Sequence, residues 1–66
     1  MLTQKDITKA IMIKAALRLR FPDLSQVTDL SDRVLRLILT EGRTNVSATT
    51  ERRLKEFISK HEDLFY

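Results

Sequence analysis

The chain has 66 residues, of which 32% are charged, and its formal net charge is +3. A chain of this length makes one domain and buries only about 60% of the surface that the unfolded chain exposes. Because it has no cysteine and one histidine, disulfides and thiolate or multi-histidine metal sites are excluded. Small domains are commonly stabilised by disulfides, a metal ion or oligomerisation, and only oligomerisation is left for this chain. We therefore expect a single helical domain over residues 1–66, without cofactor or metal, that forms a homo-oligomer.

The positive charge is concentrated in the first third of the chain. Residues 1–20 carry five Lys or Arg against one Asp, residues 21–40 are slightly acidic, and residues 41–66 are balanced. A basic segment suits nucleic acid, an anionic lipid surface or an acidic protein. Its cations do not gather on one side of a helix, which disfavours a membrane-surface helix. With no export signal or long apolar run, we expect a cytoplasmic protein with no membrane partner.

The first predicted helix begins near the amino end of the chain. Thr3 is a candidate N-cap, and Asp6, three residues later, completes a capping-box-like pair. We expect this helix to continue to about Arg20. It should stop there because Pro22 disfavours helical geometry in Phe21, so residues 21–23 become a connection.

The second predicted helix has two possible starts. It begins after Asp23, or else after Asp29 or Ser31, which leaves one short turn near residues 24–28. In both cases a stripe of Leu, Ile and Val carries it to about Glu41.

A turn and a third helix follow. Gly42 is the only glycine, and it can adopt the left-handed conformation that closes a helix. Ser47 is the candidate N-cap of a third helix that runs to about His61 or beyond. Since no segment shows β alternation, the sequence predicts an all-α protein of three short helices.

Helices one and two show more apolar surface than one small core covers. Each is apolar over more than half of its circumference, which indicates burial on more than one side. We therefore expect these helices to form a broad-faced antiparallel hairpin that associates as a homodimer. The predicted interface comprises Met12, Leu19, Leu35 and Leu39.

Catalysis is disfavoured by the residues present. His61 is the only imidazole, and its place on an apolar stripe indicates a core-edge residue. Asp29 and Asp32 stand at a helix start, where carboxylates favour the helix dipole. A chain with one glycine has no glycine-rich phosphate loop. We therefore expect neither an enzyme nor a small-molecule substrate.

The segment from Asn45 to Leu54 resembles the turn and the start of the recognition helix in helix-turn-helix proteins. That motif uses the first residues of its second helix on DNA bases. The resemblance implies that the DNA contacts are Arg43, Ala48, Thr49, Arg52 and Arg53.

Two registers of this resemblance can be compared. With Asn45 at the position of the turn glycine, Glu41 falls where a small residue belongs and Glu51 where an apolar one belongs. With Gly42 there instead, two polar side chains occupy positions that should be apolar. Neither register satisfies the motif throughout.

The sequence favours a small non-catalytic regulatory or adaptor protein, of the kind that phage or plasmid genomes encode. It would act on an unidentified protein partner through an α-helical, dimeric surface. The alternative is a dimeric DNA-binding transcriptional regulator that uses a helix-turn-helix-like segment around residues 30–60.

Overall fold

The computed structural model of the protein describes residues 1–65. Over this range the chain forms four α-helices and a final 3₁₀ turn: α1 (Gln4–Ala16), α2 (Phe21–Thr28), α3 (Asp32–Glu41), α4 (Ala48–Lys60) and Glu62–Phe65. No strand occurs within residues 1–65, so the all-α prediction is confirmed. The predicted number of three helices was wrong, because the second predicted helix is divided into α2 and α3.

The start of α1 follows from local side-chain chemistry. The Asp6 N–H donates to the Thr3 hydroxyl, and the Thr3 N–H donates to the Asp6 carboxylate, both at 3.1 Å. Leu2 and Ile7, on either side of this capping box, are both buried, as in a hydrophobic staple. The predicted N-cap is confirmed.

The end of α1 comes four residues earlier than predicted, at Ala16 rather than Arg20. Arg18 has φ 55°, a left-handed conformation. Its N–H donates to the Ala15 carbonyl at 3.2 Å, and the Leu19 N–H donates to the Lys14 carbonyl at 2.9 Å. This is the Schellman arrangement that closes a helix, here without the usual glycine. The missing glycine explains why the sequence showed no stop at this point.

The start of α2 corrects a second prediction. Phe21 is the first helical residue rather than part of a connection, and Pro22 occupies the first turn. Proline is tolerated there because a helix leaves its first N–H groups unpaired in any case. The Asp23 carboxylate accepts from the Arg20 N–H at 3.0 Å and stabilises this start.

A left-handed residue separates α2 from α3. Asp29 has φ 58° and ψ 32° and ends α2. The Ser31 hydroxyl then accepts from the Val34 N–H at 3.2 Å, which begins α3. Of the predicted starts, the one after Ser31 is confirmed, and the predicted short turn near residues 24–28 is part of α2.

The connection between α3 and α4 agrees with the prediction. Gly42 has φ 71°, and its N–H donates to the Ile38 carbonyl at 3.1 Å. The Ser47 hydroxyl accepts from the Thr50 N–H at 3.2 Å and caps α4. The helix ends at Lys60, next to the predicted His61.

All four helices contribute to one core, in which α2 packs against α3 and α4, and α1 packs against α3 and α4. The start of α1 meets the end of α3, since the Gln4 amide donates to the Gly42 carbonyl at 3.3 Å. Because α2 lies between α1 and α3 in the chain, the predicted hairpin of two consecutive helices was wrong. The buried apolar residues are Leu2, Ile7, Ala10, Ile13, Leu24, Leu30, Leu35, Ile38, Leu54, Phe57 and Ile58.

The four-helix core absorbs most of the apolar surface that motivated the predicted dimer. Leu35 is 0% exposed and offers no surface to a second chain. Leu19 and Leu39 are partly buried against the core. Only Met12, at 51% exposure, is mainly in solvent. The homodimer stays a prediction, but an interface through Leu35 would require the protomer to open.

None of the helices within residues 1–65 combines the length and apolarity needed to cross a bilayer.

Candidate nucleic-acid interface

The connection between α2 and α3 is three residues long, from 29 to 31. A turn of three to four residues is the connection found in helix-turn-helix units. The connection between α3 and α4, where the sequence resemblance was placed, takes six residues, from 42 to 47. A connection of helix-turn-helix length therefore lies one helix earlier than the sequence indicated.

The residues around Asp29 satisfy the register that Asn45 and Gly42 did not. With Asp29 at the turn-glycine position, the small residue expected four places earlier is Ser25. The apolar residues expected one, six and nine places later are Leu30, Leu35 and Ile38, and all three are buried. Asp29 also has the left-handed conformation that this position requires, and Asp adopts it more readily than most residues.

Side chains from α2 and α4 donate hydrogen bonds to backbone carbonyls of this turn. The Ser25 hydroxyl donates to the Leu30 carbonyl at 2.6 Å. From α4, Arg53 donates to the Asp29 carbonyl at 2.9 Å, and its guanidinium lies 3.4 Å from the Asp29 carboxylate. Since the core also packs α4 against α2, α4 acts as a support that holds the α2–α3 turn.

The outward face of α3 is polar and positively charged. Arg33, Arg36, Leu37 and Thr40 follow the i, i+3, i+4, i+7 spacing of one helix face, opposite the buried Leu35 and Ile38. The two arginines and the threonine are exposed, and the leucine is half-buried. This face is a helical surface with basic donors at its centre.

Further cations flank this face at the start of α2. The Lys14 ammonium lies 4.9 Å, and the Arg36 guanidinium 4.8 Å, from the centre of the Phe21 ring. Arg18 and Arg20, both exposed, occupy the connection that leads into Phe21. We call these five residues the Phe21 cluster. It joins the basic end of α1 to the outward face of α3.

The aspartates in this region already have partners. The Asp23 carboxylate accepts from the Arg20 N–H, and the Asp29 carboxylate lies beside Arg53. The Asp32 carboxylate accepts from Arg36 Nε at 3.1 Å. None of these carboxylates is left without a cation or N–H donor to offset its charge.

The DNA-contacting residues predicted from the sequence, in α4 and the connection before it, differ in their surroundings. Arg43, Ala48, Thr49 and Arg52 are exposed. Arg43 also lines a shallow groove between α3 and the 42–47 connection. Arg53 is half-buried, and both of its terminal nitrogens contact Asp29 in the α2–α3 turn.

The polar residues weighed for catalysis, His61, Asp29 and Asp32, lie in structural positions. His61 Nδ1 lies 2.9 Å from the Phe57 carbonyl, and the His61 and Phe57 rings are 4.9 Å apart. Asp29 lies in the α2–α3 turn, and Asp32 directly follows it as the first residue of α3. The imidazole belongs to the end of α4 and the carboxylates to the turn and the start of α3.

The sequence contained the signals for this site. The side chains that the motif restricts stand at the required spacings from Asp29: Ser25, Leu30, Leu35 and Ile38. Asp29, however, is not the glycine usual at the turn position, whereas Gly42 is. Because Pro22 was expected to interrupt helical structure, residues 21–28 were not predicted as a separate helix. The motif needs such a helix before its turn.

Comparisons of the chain with family models, curated proteins and solved structures found no match. Function is therefore inferred from the geometry of the chain itself.

Proposed function

We propose that the protein binds double-stranded DNA through a helix-turn-helix unit formed by α2 and α3, with α3 as the recognition helix. The observation that carries the proposal is the α2–α3 turn. It is three residues long, it contains a left-handed residue, and each of the four positions that the motif restricts is filled correctly. This location differs from the sequence-based alternative, which used the start of α4.

The outward face of α3 suits the major groove. That groove is about 12 Å wide and admits one α-helix. In helix-turn-helix proteins the second helix enters it, while the first helix crosses the DNA backbone. In this protein the second helix presents Arg33, Arg36 and Thr40, which are donors and acceptors for base edges and phosphates.

Apart from Arg36, the cations of the Phe21 cluster suit the DNA backbone. Lys14 of α1 contacts the ring of Phe21, the first residue of α2, and Arg18 and Arg20 belong to the connection just before it. In the proposed unit, α2 is the helix that would cross the phosphates. Cations that neutralise phosphates release counterions, so binding should weaken steeply as salt increases. The cluster also includes three of the five cations in the basic first third of the chain: Lys14, Arg18 and Arg20.

We further propose that two copies bind one site, as the sequence suggested. The longest dimension of the protein is 28 Å, whereas half-sites read by helix-turn-helix dimers are about 34–36 Å apart. One copy therefore spans less than one helical turn of DNA. Of the four predicted interface residues, Met12 has the exposure that a contact between two copies needs.

The test compares two pairs of exposed arginines. One variant carries Arg33→Ala and Arg36→Ala in α3, and its control carries Arg43→Ala and Arg52→Ala near α4. Both lose two positive charges, so a purely non-specific charge effect would be equal in the two. Each is titrated against fluorescent duplexes at two salt concentrations, after preferred sites have been selected with the unmodified protein.

The proposal expects the α3 variant to lose sequence preference and the control to keep it. The reverse result would favour the α4 site. Absence of selective DNA binding by the unmodified protein at physiological salt would refute the proposal.

A protein adaptor is the second candidate. Ile11, Met12 and Leu17 are exposed on α1 and at its end, and this apolar surface favours a contact with another protein. Under this alternative, the protein would copurify with a partner from its native host, and Met12→Glu would abolish the association while the α3 variant would not.

A further inference from the structure

Arg36 is held at two points, unlike an ordinary surface arginine. Its Nε donates to Asp32 Oδ1 at 3.1 Å, and its guanidinium carbon lies 4.8 Å from the centre of the Phe21 ring. The side chain is nevertheless 61% exposed. A carboxylate and an aromatic face thus orient a guanidinium that is open to solvent.

This arrangement leaves one edge of the guanidinium available. The bond to Asp32 uses Nε, so the two terminal nitrogens and their four N–H groups stay free of that contact. A planar fork that is already oriented loses less conformational freedom when it binds. By comparison, Arg33 on the same face has no hydrogen bond or ion pair to any described residue.

We infer that Arg36 reads a guanine in the major groove, and that Asp32 and Phe21 are positioning residues for it. The inference rests on the proposed DNA-binding function. Guanine presents two acceptors, N7 and O6, side by side, and these match the two terminal nitrogens of one guanidinium. Adenine offers a donor at the second position, so the same arginine discriminates against it.

The test is selection of preferred sites from random duplexes, followed by titration, with three variants. Arg36→Gln exchanges the fork for an amide, which pairs with adenine. Asp32→Asn and Phe21→Leu leave Arg36 in place but remove the carboxylate or the aromatic face. Arg33→Gln is the matched control on the same face, and circular dichroism verifies that each variant folds.

We expect the unmodified protein to prefer guanine at one position of each half-site by about 5- to 150-fold. Arg36→Gln should move the preference at that position alone to adenine, and Arg33→Gln should not. The two positioning variants should keep guanine as the preferred base but lower the discrimination several-fold, with the salt dependence unchanged.

Two results would overturn the inference. The first is a uniform loss of affinity for all sequences in Arg36→Gln, with the logarithmic salt slope reduced by about one unit, which identifies a phosphate contact. The second is an unchanged guanine preference in that variant. Both differ from failure of the proposed function, in which the unmodified protein itself selects no sequence.

Discussion

Replacement of Asp29 tests the turn on which the proposed DNA-binding unit depends. Asp29 has φ 58°, and a left-handed conformation costs an ordinary L-residue about 1–2 kcal/mol. We compare Asp29→Gly, which removes this cost, with Asp29→Val, which raises it because β-branched side chains are outliers at positive φ. Arg53 donates to the main-chain carbonyl of residue 29. Since neither substitution removes that carbonyl, this hydrogen bond is available in both variants.

The expected magnitudes follow from three contributions. Asp29→Gly relieves the strain but adds unfolded-state entropy worth about 0.4–1 kcal/mol. It also removes the carboxylate, whose side chain is 85% exposed, and an exposed pair contributes about 0–1 kcal/mol. These effects offset one another, so the free energy of unfolding should stay within about 1 kcal/mol of the unmodified protein. Asp29→Val should lie about 1–2 kcal/mol or more below Asp29→Gly.

Gln26 supplies the matched control, since it is exposed inside α2. In a right-handed helix valine is better tolerated than glycine by a few tenths of a kcal/mol, so the order of the two substitutions should reverse there. Urea denaturation followed by circular dichroism measures all four variants. Equal stability of the glycine and valine variants at position 29, or the same order as at position 26, would show that residue 29 is not left-handed. The described conformation of the α2–α3 turn would then be incorrect.

Three further substitutions test the core and the caps. Leu35→Ala should lower the free energy of unfolding by about 2–5 kcal/mol, because the side chain is fully buried; a changed molecular mass with unchanged stability would instead indicate an interface. Gly42→Val should cost at least about 1 kcal/mol. An added Cβ would lie 3.7 Å from the Gln4 amide, an ordinary contact, so this cost comes from φ 71°, and an unchanged melting temperature would contradict it. Ser47→Ala should cost about 0.5–2 kcal/mol through loss of the cap, as thermal unfolding would measure.

Local chemistry explains why the caps could be predicted. Thr3, Ser47 and Gly42 act on backbone groups within a few residues of themselves. A hydroxyl that accepts from an N–H three residues later, or a glycine at positive φ, needs no distant partner. The sequence therefore determined where α1 and α4 begin and where α3 ends, together with the all-α class.

The region from residue 17 to residue 29 could not be predicted by the same reasoning. The left-handed residues there are Arg18 and Asp29 rather than glycines, and proline occupies the first turn of a helix instead of ending one. Tertiary contacts compensate for these local costs. Leu24 and Leu30 are buried in the core, and Arg53 of α4 bonds to the Asp29 carbonyl.

Tertiary structure also decided what covers the apolar faces of the helices. From periodicity alone, a broad apolar helix can be covered either by a second chain or by another helix of the same chain, because burial is favourable in proportion to area and has no preferred direction. The sequence determined that Leu35 is buried. Only the packing of the other helices against α3 determined that the residues covering Leu35 come from within the protomer. The same packing leaves the outward face of α3, with Arg33 and Arg36, as the exposed surface of the turn.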